Sequence, residues 1–286
     1  MLDCVMLDVG GTFVKHSAVE NGEFTAPGLF PINENGTLDE ILQPIVAHLK
    51  ANPTSRVSIS IPGPMDYATG TSHMMHKFKA IKEVSLLDAL QKEFPDTQFC
   101  FLHDGAAFML GEAFYGASSG VKNAVGVMLG TGLGFVLWQD GKVQMRPVAL
   151  TPSYPLWSAR YKNGTAEDMV SARGMRARWT AMTGETIDVK EIADRARQGD
   201  EQAKAFMHET GKMLGEMLND HLKGFVVEKI VIGGQIAKSL DLMEKGFREM
   251  CTIPVCRAQN VEDAALRGAW AYACHGMDLY QIVEGT

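Results

Sequence analysis

The sequence predicts an α/β protein of two related domains, each built on a mixed β-sheet and each presenting a Gly/Thr turn to a shared cleft. Three observations carry that prediction. Val5 to Glu23, VMLDVGGTFVKHSAVENGE, is an apolar run broken by Asp8 and Gly10-Gly11, followed by a second run closed by Asn21-Gly22. Ala124 to Val143, AVGVMLGTGLGFVLWQDGKV, repeats the order of strand, Gly130-Thr131-Gly132 turn, strand, Asp140-Gly141 turn and short strand. Such self-similarity at long separation points to a duplicated unit. Between and after these stretches, short apolar strands alternate with helical periodicity, the pattern of helices laid on a sheet.

Composition sets the outer bounds. A chain of 286 residues is more than one compact core usually absorbs, and 46% hydrophobic with 21% charged residues supplies ample core without a disordered segment. The net charge of -7 and pI near 5.6 argue against a general nucleic-acid binder, so an anionic ligand needs a local site. Asp3 and Asp8 interrupt the N-terminal apolar stretch and no basic leader precedes it, which reads as a structural strand, not a signal peptide. The longest uncharged run, Asn123 to Gln139, falls short of the ~20 residues a membrane helix needs. Five scattered cysteines form no disulfide framework, and a reducing cytoplasm is the expected location.

Taken in order, the first hairpin carries the first candidate site. Its glycines let the backbone bend sharply and admit another molecule close to the N–H groups, and Thr12 adds a hydroxyl, so Gly10, Gly11 and Thr12 suit phosphate oxygens. Asp8 at the lip of that turn is placed to hold hydrated Mg2+ against the phosphates. Thr37 with Glu40 forms a capping box ahead of Ile41, Ile45, Val46 and Leu49, and Pro44 predicts a kink or break in that helix. Arg56 to Ile61 is a strand ended by Pro62-Gly63-Pro64, Ser85 with Asp88 opens a helix, and Gln98 to Leu102 is the next strand. That strand runs into His103-Asp104 and a helix over 106–115, which puts a carboxylate where α/β folds bind ligands. Asp104 reads equally well, from local sequence, as a plain helix N-cap.

The second Gly/Thr turn is followed by strand formers, Phe135 to Trp138, and so is no dinucleotide-binding fingerprint. Taken alone, either Gly turn also reads as a structural hairpin. From Arg146 to Asn163 three prolines keep the chain irregular. Thr165 with Asp168 and Asp188 with Glu191 then open helices, and Asp200 to Lys223 is a long amphipathic one with a methionine-rich core face. Lys229 to Ile232 is a buried strand turned by Gly233-Gly234, and Glu262 to His275 is the closing helix. The pairs His73/His76 and Cys251/Cys256 lack the further ligands that a metal site requires.

Five segments together resemble the ROK family of sugar kinases within the actin-like ATPase superfamily. They are Asp8-Val9-Gly10-Gly11-Thr12, Ile61-Pro62-Gly63-Pro64, His103-Asp104-Gly105-Ala106-Ala107 with Gly111-Glu112, Leu129-Gly130-Thr131-Gly132, and Ile230-Val231-Ile232-Gly233-Gly234. The resemblance implies two actin-like (ribonuclease H-like) α/β domains with mixed sheets around an interdomain cleft, residues 1–118 and 119–286, the last helix packing back on the first. It implies ATP and Mg2+ as cofactors, a hexose or amino sugar as substrate, and Asp104 as the base that takes the proton of the attacking hydroxyl. Asp8, Gly10, Gly11, Thr12, Gly130, Thr131, Gly132, Gly233 and Gly234 would then hold the nucleotide and its metal, and Gly63, His103, Asp104 and Glu167 the sugar. Glu167 is assigned through Gly164-Thr165-Ala166-Glu167, which resembles the family's Gly-Cys-Leu-Glu.

The chain also departs from the family. Typical members carry a Glu-x-Gly-His segment and a Cys-rich zinc knuckle, whereas 146–171 contains neither Cys nor His, so no zinc site is expected. Lys77 stands near the family's sugar-binding Asn. These losses keep a second reading open, a non-catalytic sugar or nucleotide sensor on the same fold. Because only seven residues precede Asp8, the DNA-binding domain of ROK-like repressors is not expected, and no nucleic-acid or membrane partner is. The oligomeric state stays open, a homodimer included.

Overall fold

A computed structural model describes residues 2–284 except His76 and Val148. Contacts divide the chain into two compact units. The first comprises Met1–Tyr115, Lys142–Ser153 and Glu262–Thr286, and the second Gly116–Gly141 and Tyr154–Val261. Where the sequence reading drew one boundary between 118 and 119, each unit here is discontinuous.

In the first unit, strand Cys4–Val9 pairs antiparallel with Phe13–Glu20 and parallel with Arg56–Ile61, which pairs parallel with Gln98–His103. The hairpin ends in Asn21 and Gly22 at φ 53° and 80°, the left-handed pair that matches strand twist and that Asn-Gly adopts at low cost. Helix Leu38–Ala51 buries Ile41, Ile45, Val46 and Leu49, and its capping box forms as expected, with Thr37 and Glu40 bonding each other's backbone. Pro44 does not break it: the helix runs through all fourteen residues. Proline removes one backbone hydrogen bond, and the buried face on both sides of it offsets that loss.

Helices Asp104–Tyr115 and Ala264–His275 pack closely on each other, and the second also lies on the central strands. Glycines permit this approach. A Cβ on Gly111 would overlap the Ala264 carbonyl, and one on Gly268 the Ala107 carbonyl. The last helix therefore belongs with the N-terminal unit, as do the short parallel strands Lys142–Met145 and Tyr280–Ile282.

The second unit orders its strands Val255–Arg257, Lys229–Gly233, Ala124–Leu129 and Leu133–Gln139, the first two pairings parallel and the last antiparallel. Asp140 and Gly141 repeat the left-handed turn at φ 50° and 78°. Helix Glu201–His221, capped by Asp200, buries Phe206, Met207, Met213, Leu214, Met217 and Leu218 in the core beneath this sheet. No helix among the described residues is long and apolar enough to cross a membrane.

Candidate active site

The first unit gathers Asp8, the Gly10–Thr12 turn, Gly63, His103 and Asp104 at the carboxyl ends of its parallel strands. Asp8 lies across the hairpin from Lys15 and its Oδ1 accepts the Ser60 hydroxyl at 3.1 Å. Burial, then the nearby Asp104 carboxylate, pushes the Asp8 pKa up to about 6, against the lowering pull of Lys15 and the Ser60 hydrogen bond. A buried carboxylate whose ionisation the neighbouring Asp104 charge makes costly suits a magnesium ion, a hard cation that prefers oxygen donors. The turn after Asp8 is closed by Gly10 N–H donating to Phe13 O at 3.0 Å. The Gly11 and Thr12 amides have no backbone partner among the described residues, which leaves two donors for phosphate oxygens.

Asp104 is the first residue of its helix. Its Oδ1 accepts the Gly105 amide at 2.7 Å, but the cap position before the helix is held by His103, whose Nδ1 accepts the same amide at 3.0 Å. The plain N-cap reading therefore does not describe this carboxylate. His103 Nδ1 lies 3.0 Å from the same Oδ1. Burial holds the imidazole below its ordinary pKa, more than Asp104 raises it, so His103 is neutral. Nδ1 accepts the Gly105 amide at 3.0 Å, which puts the single ring proton of the neutral imidazole on Nε2. The same amide holds Asp104 Oδ1, and Oδ2 is left to take a proton.

Gly63 keeps this face open. A Cβ there would stand 3.1 Å from Tyr67 Oη, 3.5 Å from His103 Cδ2 and 3.5 Å from Thr151 Cγ2. Tyr67 donates its hydroxyl to Ile61 O at 3.0 Å and meets the His103 ring edge-on, centroids 6.0 Å apart.

The second unit gathers the other candidates. Gly130 N–H donates to Gly132 O at 3.1 Å, and Gly130 O accepts the amide of Ala172, where the next helix begins. Glu167 Oε2 accepts the Leu133 amide at 3.0 Å, and Oε1 lies 3.3 Å from Arg173. A Cβ on Gly132 would come within 2.9 Å of that Glu167 oxygen. The glycines bring the turn against Glu167, and no atom lies within 4 Å of a Cβ built on Gly130, a cradle open to a ligand. Gly234, at φ 81°, ends the neighbouring strand, and a Cβ on it would overlap the Leu129 carbonyl. Gly233 and Gly234 therefore press against the strand that delivers Gly130, Thr131 and Gly132.

Sequence reasoning missed Ser60, Lys15, Tyr67 and Thr151 in the first unit and Arg173 in the second. Ser60 and Lys15 were legible in principle, since alternation along their strands places them beside Asp8 once the register is known. Tyr67 and Thr151 sit in irregular chain with no periodic signal. Among the described residues no group of three or more His, Cys, Asp and Glu is placed to hold a metal ion. His73 pairs with Glu83 at 3.2 Å, His76 lies outside the described residues, and Cys251 and Cys256 form no disulfide.

Fold and site motifs define the class first: two actin-like α/β domains, each with a Gly/Thr turn at its sheet. A ROK glucokinase from Streptomyces griseus, solved in complex with glucose and AMPPNP, superposes with a TM-score of 0.79 over 96% of this chain and 100% of that one, at 21% identity. At that identity the likeness establishes the fold. The ROK family's sequence profile matches residues 4–148 and 161–275, and the chain belongs to the ROK family. Between the two matched segments lies part of the irregular stretch that departs from the family's motifs. It is 26% identical to a glucokinase of Thermotoga maritima over 94% of this chain and 96% of that protein. It is also 23% identical, over 71% of this chain and 56% of the relative, to the DNA-binding transcriptional repressor Mlc of Escherichia coli. The family thus holds both enzymes and DNA-binding regulators, and membership alone does not exclude a nucleic-acid partner.

Proposed function

We propose that this chain is an ATP-dependent sugar kinase that transfers the γ-phosphoryl group to a hydroxyl of a hexose or amino sugar. The observation that carries the reading is the Asp104 carboxylate, whose Oδ1 is fixed by the Gly105 amide and beside His103 while Oδ2 stays free. A group held in this way is ready to accept a proton, and a phosphoryl-transfer enzyme needs little more from its own side chains than such a base and well-placed charge. The sugar hydroxyl would donate to Oδ2 as its oxygen attacks phosphorus. Asp8 would hold Mg2+, directly or through water, and the ion would neutralise phosphate charge when bound. Gly10, Gly11 and Thr12 of one unit and Gly130, Thr131 and Gly132 of the other would bind phosphate oxygens through their amides and hydroxyls. Gly233 and Gly234 would pack near the nucleotide, and Gly63 and His103 would border the sugar.

Glu167 would act on the sugar less directly than the motif suggests. Its two oxygens are already engaged by Leu133 and Arg173, so holding the Gly132 turn in shape is the role its contacts support. The five cysteines, none of them in a disulfide, suit a reducing cytoplasm. The reading is tested by screening hexoses and N-acylated amino sugars for sugar-dependent ATP consumption. Turnover of any one of them supports it. Binding of a sugar without turnover, with a correctly folded protein and Mg2+ present, replaces it with the sensor.

A further inference from the structure

After strand Lys142–Met145 the backbone folds back on itself. Arg146 N–H donates to Thr151 O at 2.8 Å, Ser153 N–H donates to Gln144 O at 3.0 Å, and Met145 bridges Pro152. This small hairpin lies within the same compact unit as Asp104. Its closure fixes the backbone of Thr151.

The position of Thr151 is informative because three side chains from three separate places converge on Gly63. They are the Tyr67 hydroxyl, the His103 ring edge that carries Nε2, and the Thr151 methyl group. Tyr67 has given its proton to Ile61 O, and His103, whose Nδ1 accepts the Gly105 amide, carries its proton on Nε2. Tyr67 therefore faces this space as an acceptor and His103 as a donor. Thr151 Oγ1 has no hydrogen-bond partner among the described residues, and a hydroxyl both donates and accepts. A sugar hydroxyl lying here would find an acceptor in Tyr67, a donor in His103 and one group of variable polarity on the third side.

Resting on the kinase reading, we infer that Thr151 is an acceptor-specificity residue of this site. Its Oγ1 hydrogen-bonds a sugar hydroxyl close to the one that Asp104 deprotonates, and its methyl group limits the bulk that fits over Gly63. The class of acceptor this favours is a sugar that presents a free hydroxyl, not a bulkier acylated amine, over Gly63.

Thr151→Val keeps the shape and removes the hydroxyl, while Thr151→Ser keeps the hydroxyl and removes the methyl. With the best acceptor of the panel, Thr151→Val is expected to raise the sugar KM by roughly 3- to 20-fold with the KM for ATP unchanged, the size of one lost hydrogen bond to a substrate. Thr151→Ser is expected to keep that KM within about twofold and to admit bulkier acceptors, among them the N-acylated sugars, that the wild type rejects. A merely structural Thr151 would shift melting temperature or both KM values together and leave the ranking of sugars intact. That result overturns the inference while the kinase reading stands. A wild type that neither phosphorylates nor binds any sugar overturns both.

Discussion

At the scale of single residues, two carboxylates carry opposite expectations. Asp104→Asn keeps an oxygen for the Gly105 amide, so the variant should fold and bind nucleotide as the wild type does. Its kcat should fall by roughly 10² to 10⁴, the range for loss of a general base. Steady-state kinetics beside a melting curve decide the matter: a folded Asp104→Asn enzyme with ordinary turnover removes Asp104 from the mechanism. Asp8 is different because the fold strains it. Its pKa is raised to about 6 from 3.8, so the folded state binds the proton more tightly than the unfolded chain. Ionised Asp8 therefore costs stability, increasingly as pH rises from about 4 to 6 and fully above that. Asp8→Asn should melt higher than the wild type at pH 8, by roughly 2 to 6 °C, and no differently at pH 4. Magnesium should stabilise the wild type at pH 8 and not the variant. Equal melting temperatures at pH 8 would contradict the buried charge.

At the scale of elements, the close pair of helices 104–115 and 264–275 decides where Asp104 stands. Gly268 allows the contact, since a Cβ on it would overlap the Ala107 carbonyl, one turn after Asp104. Gly268→Ala should therefore destabilise by about 2 to 3 kcal/mol, despite the better helix propensity of alanine. Denaturant unfolding measures it, and an unchanged or raised midpoint would mean that the helices can separate without cost. A second element, the outer face of helix 38–51 against the hairpin, sets an acid limit. His48 stacks on Phe30, centroids 4.9 Å apart, with His16 at 4.2 Å. Burial, then His16, lowers the His48 pKa to about 4, and burial lowers that of His16. The unfolded chain binds these protons more readily, so this part of the stability is present near neutral pH and is lost as pH falls from about 6.5 towards 4. His48→Phe keeps the stack without the proton and should retain more of its neutral-pH melting temperature at pH 4.5 than the wild type does. The slope from Asp8 runs the other way across this window, so the comparison is made between the two proteins at each pH. Identical acid losses would remove His48 from the account.

At the scale of the molecule, ligand and fold are linked. Mg-ATP at millimolar concentration should raise the melting temperature by several degrees even without sugar, since a ligand at 100 times its Kd adds about 2.7 kcal/mol. No shift by differential scanning fluorimetry would undo the nucleotide reading of both Gly/Thr turns. Much of this molecule was legible in its sequence because the signals are local. Hairpin turns need Asn-Gly or Asp-Gly at fixed offsets, caps need Thr or Asp three residues ahead of a backbone partner, and tight turns near a ligand need glycine. Asp8, Gly10, Gly11, Thr12, Asp104 and Gly130 to Gly132 could all be found in that way. Pro44 misled for the same reason: its cost is local, whereas the burial of Ile41, Ile45, Val46 and Leu49 that outweighs it is not. The discontinuous units, the union of the last helix with the Asp104 helix, and the meeting of Tyr67, His103 and Thr151 around Gly63 were decided only in the tertiary structure. Each joins residues far apart in the chain through close packing, and no spacing along a sequence encodes which two distant backbones will touch.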